Sequence, residues 1–189
     1  MLQINKTMNK LKYLLLLIPA IGIFFFSSFN NNQTEKKTTE NIVWQTDMKI
    51  AAEMAKKEDK PLLLFFTGSD WCGWCIRLQK EVLKTPEFEA WAKEKVILVE
   101  LDFPRRTEQS VELKTQNGQL QQAFGIQGFP TVWFAKAGNK DGKVNLEQLG
   151  STGYVAGGPA AWLAGANDIV AKYTPNKMVK TAKLKKAKA

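Results

Sequence analysis

The hydrophobic positions of this chain change period several times, and each change marks an element. Met48, Ala51, Ala52 and Ala55 recur at helical spacing and predict a first helix of about three turns, ending before Asp59-Lys60-Pro61. The run Leu62-Leu63-Leu64-Phe65-Phe66 has no polar alternation, so it predicts a strand buried on both faces, as in the middle of an α/β sheet. Ile76, Leu78, Val82 and Leu83 mark a second helix, and Thr85-Pro86-Glu87 resembles the cap and first turn of a third, through Phe88 and Trp91. A second strand follows from Val96 to Phe103. Residues 107–124 are polar with Val111, Leu113, Leu120 and Phe124 embedded, which predicts a helix broken near Asn117-Gly118. Thr131–Ala135 and Val144–Leu149 read as two strands joined by the turn-rich Gly138-Asn139-Lys140-Asp141-Gly142. Trp162, Ala166, Ile169, Val170 and Tyr173 give a final helix. The order predicts an α/β domain with a mixed central sheet of about four to five strands flanked by helices.

Both ends of the chain break from this pattern. Residues 1–29 carry Lys6, Lys10 and Lys12 and then an apolar stretch from Tyr13 to Phe26. That is the arrangement of an export signal and is short for a spanning helix. Phe24-Phe25-Phe26 leaves no small-residue cleavage site, so both removal of the leader and its retention as a membrane tether through residues 13–29 stay open. Residues 30–43 read as a polar linker, residues 44–173 as the domain, and residues 174–189 as a basic disordered tail.

Charge resolves along the same boundaries. Of the 27 Lys and Arg residues, three lie in the leader and six in the tail, leaving 18 in residues 30–173 against all 18 acidic ones. The domain is therefore neutral, and the +9 of the whole chain belongs to its ends. With no basic stripe interleaved with aromatics, the domain carries no nucleic-acid signal. The lysine tail reads as a solvated terminus. No coiled-coil seam or other assembly motif is visible, so the expected state is a monomer.

The chemistry-bearing motif is Trp71-Cys72-Gly73-Trp74-Cys75, which holds both cysteines of the chain. A C-x-x-C pair can ligate a metal or exchange disulfides. The chain has no histidine, so a closed zinc site would need two carboxylates or a second subunit to complete it. A purely structural disulfide over so short a loop would constrain little of the unfolded chain. At a strand-to-helix junction the pair reads as a redox couple. Cys72 would sit at the helix N-terminus, where unpaired N–H groups favour the thiolate and can lower its pKa from roughly 8.5 to between roughly 3.5 and 7.5. Cys75, one turn on, is close enough to resolve a mixed disulfide.

The order of elements, the Trp-Cys-x-x-Cys motif after the first buried strand, and Gly128-Phe129-Pro130-Thr131 entering the hairpin together resemble the thioredoxin superfamily over roughly residues 44–173. Phe66-Thr67-Gly68-Ser69-Asp70-Trp71-Cys72-Gly73-Trp74-Cys75 and Leu101-Asp102-Phe103-Pro104 are similar to exported bacterial members, such as the periplasmic C-terminal domain of the transmembrane thiol:disulfide interchange reductase. The resemblance implies that Cys72 is the exposed nucleophile, Cys75 the buried resolving thiol, and Pro130 a cis-proline whose loop pairs with the substrate backbone. Trp71, Gly73, Trp74, Phe129 and Thr131 would complete the substrate-binding rim. Two positions depart from the family pattern. Phe66 stands where thioredoxins commonly place a buried acid, which leaves Asp70 and Glu81 as candidate proton acceptors. Gly73-Trp74 replaces the Gly-Pro of thioredoxin.

The implied activity is an exported thiol:disulfide oxidoreductase of the periplasm or cell envelope. It would need no metal, nucleotide or flavin, act on proteins carrying disulfides or dithiols, and be recharged by an upstream membrane electron donor. The alternatives are a dedicated reductant of one client such as apocytochrome c, and a non-catalytic binding or assembly module on the same scaffold.

Overall fold

In the computed structural model β1 (Leu62–Thr67) is buried at every position. The structure describes residues 42–140 and 143–175; the leader, most of the linker, the hairpin tip at 141–142 and the tail beyond residue 175 lie outside the described residues. On one side β1 pairs in parallel with β2 (Ile97–Asp102), with Leu62 opposite Ile97 and Thr67 opposite Asp102. On the other it pairs antiparallel with β3 (Thr131–Lys140), with Phe66 opposite Thr131. β4 (Lys143–Thr152) returns antiparallel along β3, with a register shift at Phe134/Ala135. The sheet order among the described residues is β2-β1-β3-β4, a mixed sheet of four strands.

Because side chains alternate across a strand, β1 feeds two separate cores. Leu63 and Phe65 pack with Cys72, Cys75, Leu78, Val82, Phe88 and Trp162. These belong to α2 (Gly73–Leu78) with its N-cap and the π turn Gln79–Leu83 that continues it, α3 (Pro86–Lys95), and α5 (Gly158–Val170). Leu62, Leu64 and Phe66 pack instead with Met48, Ala51, Ala52 and Ala55 of α1 (Met48–Glu58) and with Phe124, which ends α4 (Val111–Ala123). The alanines of α1 are almost wholly buried, so the helix backbone lies close on the sheet.

Local signals place the helix ends. Asp47 caps α1 by accepting from the Lys49 and Ile50 amides at 2.7 and 3.1 Å. Thr85 caps α3 ahead of Pro86, and Ser110 caps α4. The chain enters α5 through Gly157 at φ 107°, a backbone angle glycine adopts without a Cβ penalty.

The structure corrects the sequence reading in several places, among them β3, whose pairing with β4 extends through Gly138 and Asn139 where the sequence predicts a turn. α4 runs unbroken through Asn117-Gly118. Asn117 is buried there, its Nδ2 donating to the Asp102 carbonyl at 2.9 Å. This bond seats the helix on the end of β2 and offsets the roughly 1 kcal/mol that an interior glycine costs. Ile76 and Val111, taken as apolar-face residues, are 51% and 74% exposed. Tyr173 lies past the end of α5, its hydroxyl donating to Asp59 at 3.0 Å.

Trp162 is the hub of the cysteine-side core. It lies 5.7 Å from Phe88, 6.4 Å from Trp91 and 6.4 Å from Phe134, and its Nε1 donates to the Gly153 carbonyl at 3.0 Å. Trp162→Ala is expected to cost about 3–5 kcal/mol in denaturant unfolding, whereas Val111→Ala on the exposed face of α4 stays within about 0.5 kcal/mol of the native protein.

Candidate active site

β1 ends at Thr67, and the next four residues turn the chain into α2. Trp71 and Cys72 both donate their amides to the Gly68 carbonyl, at 3.3 and 2.9 Å. A Cβ on Gly68 would lie 2.4 Å from the Trp71 ring, so this turn needs glycine for space. The turn is bound to the last residue of β2 and to the segment that follows it. Ser69 donates its amide and hydroxyl to the Asp102 carboxylate at 2.8 and 2.6 Å. Asp70 accepts from the Arg105, Arg106 and Thr107 amides at 3.0, 2.7 and 3.1 Å. Trp71 Nε1 donates to the Phe103 carbonyl at 2.8 Å.

Cys72 is the N-cap of α2 and is joined to Cys75 by a disulfide, with Cα atoms 5.2 Å apart. The Cys75 amide points at Cys72 Sγ at 3.2 Å. Cys72 retains 6% of its surface and Cys75 none, so Cys72, expected to be exposed, is itself buried in this disulfide form and is the more accessible of the two only by that margin, both belonging to the same core. An N–H aimed at the outer sulfur stabilises negative charge there once the bond is reduced.

Two aromatic clusters flank the pair. On one side Trp74, 55% exposed, lies 5.2 Å from Tyr154, with the Arg77 guanidinium 5.3 and 5.1 Å from the two rings. On the other, Trp71 meets Phe129 edge-on at 5.8 Å, Phe129 lies 5.2 Å from Phe103, and Arg105 stacks over Trp71 at 3.8 Å. The Phe129–Pro130 peptide bond is cis, and Thr131 Oγ1 donates to the Gly128 carbonyl at 2.7 Å. Gly73 is exposed between the cysteines. Of the expected rim, Trp71, Gly73 and Trp74 lie at the entry and first turn of α2 and Phe129 contacts Trp71, while Pro130 follows it and Thr131 opens β3.

Both candidate proton acceptors already accept hydrogen bonds within the protein. The Arg105 amide first, and with it those of Arg106 and Thr107, hold the Asp70 carboxyl below the usual carboxylate range against the opposing effect of burial, which is second only to the Arg105 amide. Glu81 is held low by the Tyr154 hydroxyl, which donates at 2.5 Å, and by Arg77 Nε at 2.8 Å. Phe66 is wholly buried on the opposite face of the sheet, 5.9 Å from Phe124. The carboxylate that burial does raise is Glu100, with Asp102 adding to the effect and Lys84 opposing it. Glu100 pairs across the ladder with Phe65. It lines a cavity of about 230 Å³ with Trp44, Phe65, Gln79, Leu83 and Lys84, on the same face of the sheet as the cysteines. The Thr67 hydroxyl is buried without a hydrogen-bond partner. Among the described residues no group of three or more His, Cys, Asp or Glu could hold a metal ion, and no helix is long and apolar enough to cross a membrane.

Residues 48–155 match the family model described as a thioredoxin-like domain. The chain belongs to the thioredoxin-like family. Over 138 residues, 73% of this chain and 78% of the relative, it is 36% identical to the disulfide bond reductase DsbH of Chlamydia pneumoniae. It is also 35% identical over 98 residues to the thioredoxin-related protein DsbJ of the same organism, covering 52% of this chain and 28% of that one. A solved structure of the DsbH oxidoreductase superposes with a TM-score of 0.60 at 35% identity, covering 69% of this chain and 85% of the other. The chain is accordingly a thioredoxin-fold oxidoreductase with a C-x-x-C disulfide.

In this thioredoxin-like site the sequence did not single out Arg77, Tyr154, Glu100 or Arg105. Tyr154 and Arg105 reach the site from 73 and 35 residues away from their partners Glu81 and Asp70, a separation no local pattern encodes. The position of Glu100 inside the strand Val96–Phe103 was the one available signal, because a charge amid strand residues asks for a reason.

Asp70 and Glu100 should shift stability in opposite directions. The folded pKa of Asp70 is depressed, so its contribution is present above the ordinary carboxylate pKa and is lost as pH falls through the lower folded value. Asp70→Asn is therefore expected to lower the thermal midpoint at pH 7, with the gap closing in acid. The folded pKa of Glu100 is raised, so its ionisation weakens the fold as pH rises through that value. Glu100→Gln is expected to unfold at higher urea concentration than the native protein at pH 8 and to match it below the ordinary carboxylate range.

Proposed function

We propose that this oxidoreductase reduces disulfides of exported proteins, with Cys72 as the attacking thiol and Cys75 as the resolving one. The observation that supports this division is the amide of Cys75 aimed at Cys72 Sγ at 3.2 Å, together with the complete burial of Cys75. In the reduced protein the Cys72 thiolate attacks one sulfur of a client disulfide. The client S–S bond breaks, a Cys72–client bond forms, and the departing client thiolate takes a proton from solvent. Cys75 loses its proton to solvent and its thiolate attacks Cys72 Sγ; the Cys72–client bond breaks, and the second client sulfur leaves as a thiolate that takes a proton from solvent. Two electrons and two protons have then passed to the client, and the protein is left with the Cys72–Cys75 disulfide seen in the structure.

The loop at Phe129, Pro130 and Thr131 is assigned to the backbone of the bound client, and Trp71, Gly73 and Trp74 to its side chains. The reductive direction rests on the 36% identity to a disulfide bond reductase. Export rests on the basic and apolar leader of residues 1–29. The domain is taken as residues 44–173, monomeric, between a polar linker and a lysine-rich tail. Electrons would come from an upstream membrane-held dithiol donor, since an oxidising compartment does not regenerate the thiols by itself.

Reduction of insulin by the full chain with dithiothreitol as donor tests the assignment. Cys72→Ser is expected to abolish the activity, and Cys75→Ser, reduced and then freed of dithiothreitol, to accumulate mixed disulfides that added dithiothreitol releases. Full activity in Cys72→Ser would overturn the nucleophile. Equilibration with glutathione and dithiothreitol should place the potential near thioredoxin's roughly −270 mV rather than the roughly −120 mV of a strong oxidant; a value near the latter would reverse the direction.

A further inference from the structure

The segment Phe103-Pro104-Arg105-Arg106-Thr107 runs along the turn that leads into Cys72. Its backbone is held by Asp70 through three amides, and its Phe103 carbonyl by the Trp71 indole. This fixes Arg105 over Trp71, at 3.8 Å from the ring, and Trp71 directly precedes the outer sulfur of Cys72.

The charges around that sulfur are unequally committed. Asp102 is engaged by Ser69, Asp70 by the loop amides, and Glu81 by Tyr154 and Arg77. Arg105 is exposed, and among the described residues no carboxylate forms an ion pair with its guanidinium. Its contact is with an aromatic face, which leaves the N–H donors at its edge open to a bidentate carboxylate. Arg106 follows it on the exposed loop and adds a cation whose field already reaches Asp70. The three carboxylates that touch this turn are thus spent internally, while Arg105 and Arg106 remain presented to an incoming chain; Glu108, further along the same exposed loop, forms no ion pair with either.

We infer that Arg105, supported by Arg106, selects client segments that carry acidic residues beside the disulfide to be reduced. The inference rests on the reading of the chain as a disulfide reductase and adds to it a class of substrate. Arg105 on its Trp71 platform is the recognition element, and Asp70 is a positioning residue that sets the loop.

The test uses the reduced full chain and two disulfide-cyclised peptides identical except for glutamates or lysines on both sides of one cysteine. The glutamate peptide is expected to be reduced about two- to tenfold faster at low salt, the range that one or two exposed ion pairs provide. The preference should shrink as ionic strength rises. Because the reactivity of Cys72 enters both rates, it cancels in their ratio. The double variant Arg105→Gln/Arg106→Gln should bring that ratio close to one, and Arg105→Lys/Arg106→Lys should keep a preference for the glutamate peptide. Equal rates with the native chain, or a preference that survives in the glutamine variant and so arises elsewhere, such as the lysine tail, would overturn the inference while leaving the reductase reading intact. Failure to reduce either peptide would overturn both.

Discussion

Everything in this domain follows from burying β1 on both faces. A strand with no solvent-facing side needs a helical layer on each side of the sheet, and here one of those layers is the helix that carries the cysteines. Covering the core and presenting the redox pair are therefore one structural task. Both cysteines contribute to the same core as Phe65 and Leu63, and Cys72 also caps the helix where the strand hands over to α2. A change that loosened the seat of α2 on the sheet would loosen the disulfide geometry with it.

Most of this arrangement was legible in the sequence because its signals are local. The unalternating Leu62–Phe66 run, the alanine spacing of α1, the Thr85-Pro86 cap and the Cys-Gly-Trp-Cys motif each depend on neighbours in the chain. What the sequence concealed is long-range. Asn117-Gly118 reads as a break, because nothing nearby reveals that the Asn117 amide binds the Asp102 carbonyl 15 residues away. The anchoring of Asp70, and of Glu81 by Tyr154, is hidden because those donors lie 35 to 73 residues distant, whereas the Arg77–Glu81 pair at four residues is local. Ile76 reads as core, because an apolar residue in a helical pattern carries no mark of which side it occupies. β3 and β4 run further than their apolar residues, because the ladder is set by backbone pairing through Gly138 and Asn139 rather than by side-chain burial.

The electrostatics of the site show a division between faces of the sheet. Where an acid might be expected beneath the cysteines, Phe66 points to the α1 side and packs on Phe124. On the cysteine side the carboxylate is Glu100, which belongs to the neighbouring strand and lies next to Phe65 in the ladder. Its environment favours the neutral acid, in contrast to Asp70 and Glu81, whose hydrogen-bond donors favour the anion. Three carboxylates in one region thus face different surroundings, set by which neighbouring groups and how much solvent each one meets.

The clamp at Asp70 grips amides and not side chains. Every residue except proline supplies the same donor, so the path of the loop is indifferent to what positions 105 to 107 display. Folding and recognition are thereby uncoupled at these three positions. Lineages of this fold can exchange the chemistry they show to a client, a basic loop for an acidic or an apolar one, without disturbing the scaffold that holds the thiols. Diversification of clientele would accordingly be concentrated beside the redox pair, in a segment whose backbone stays constant while its surface drifts.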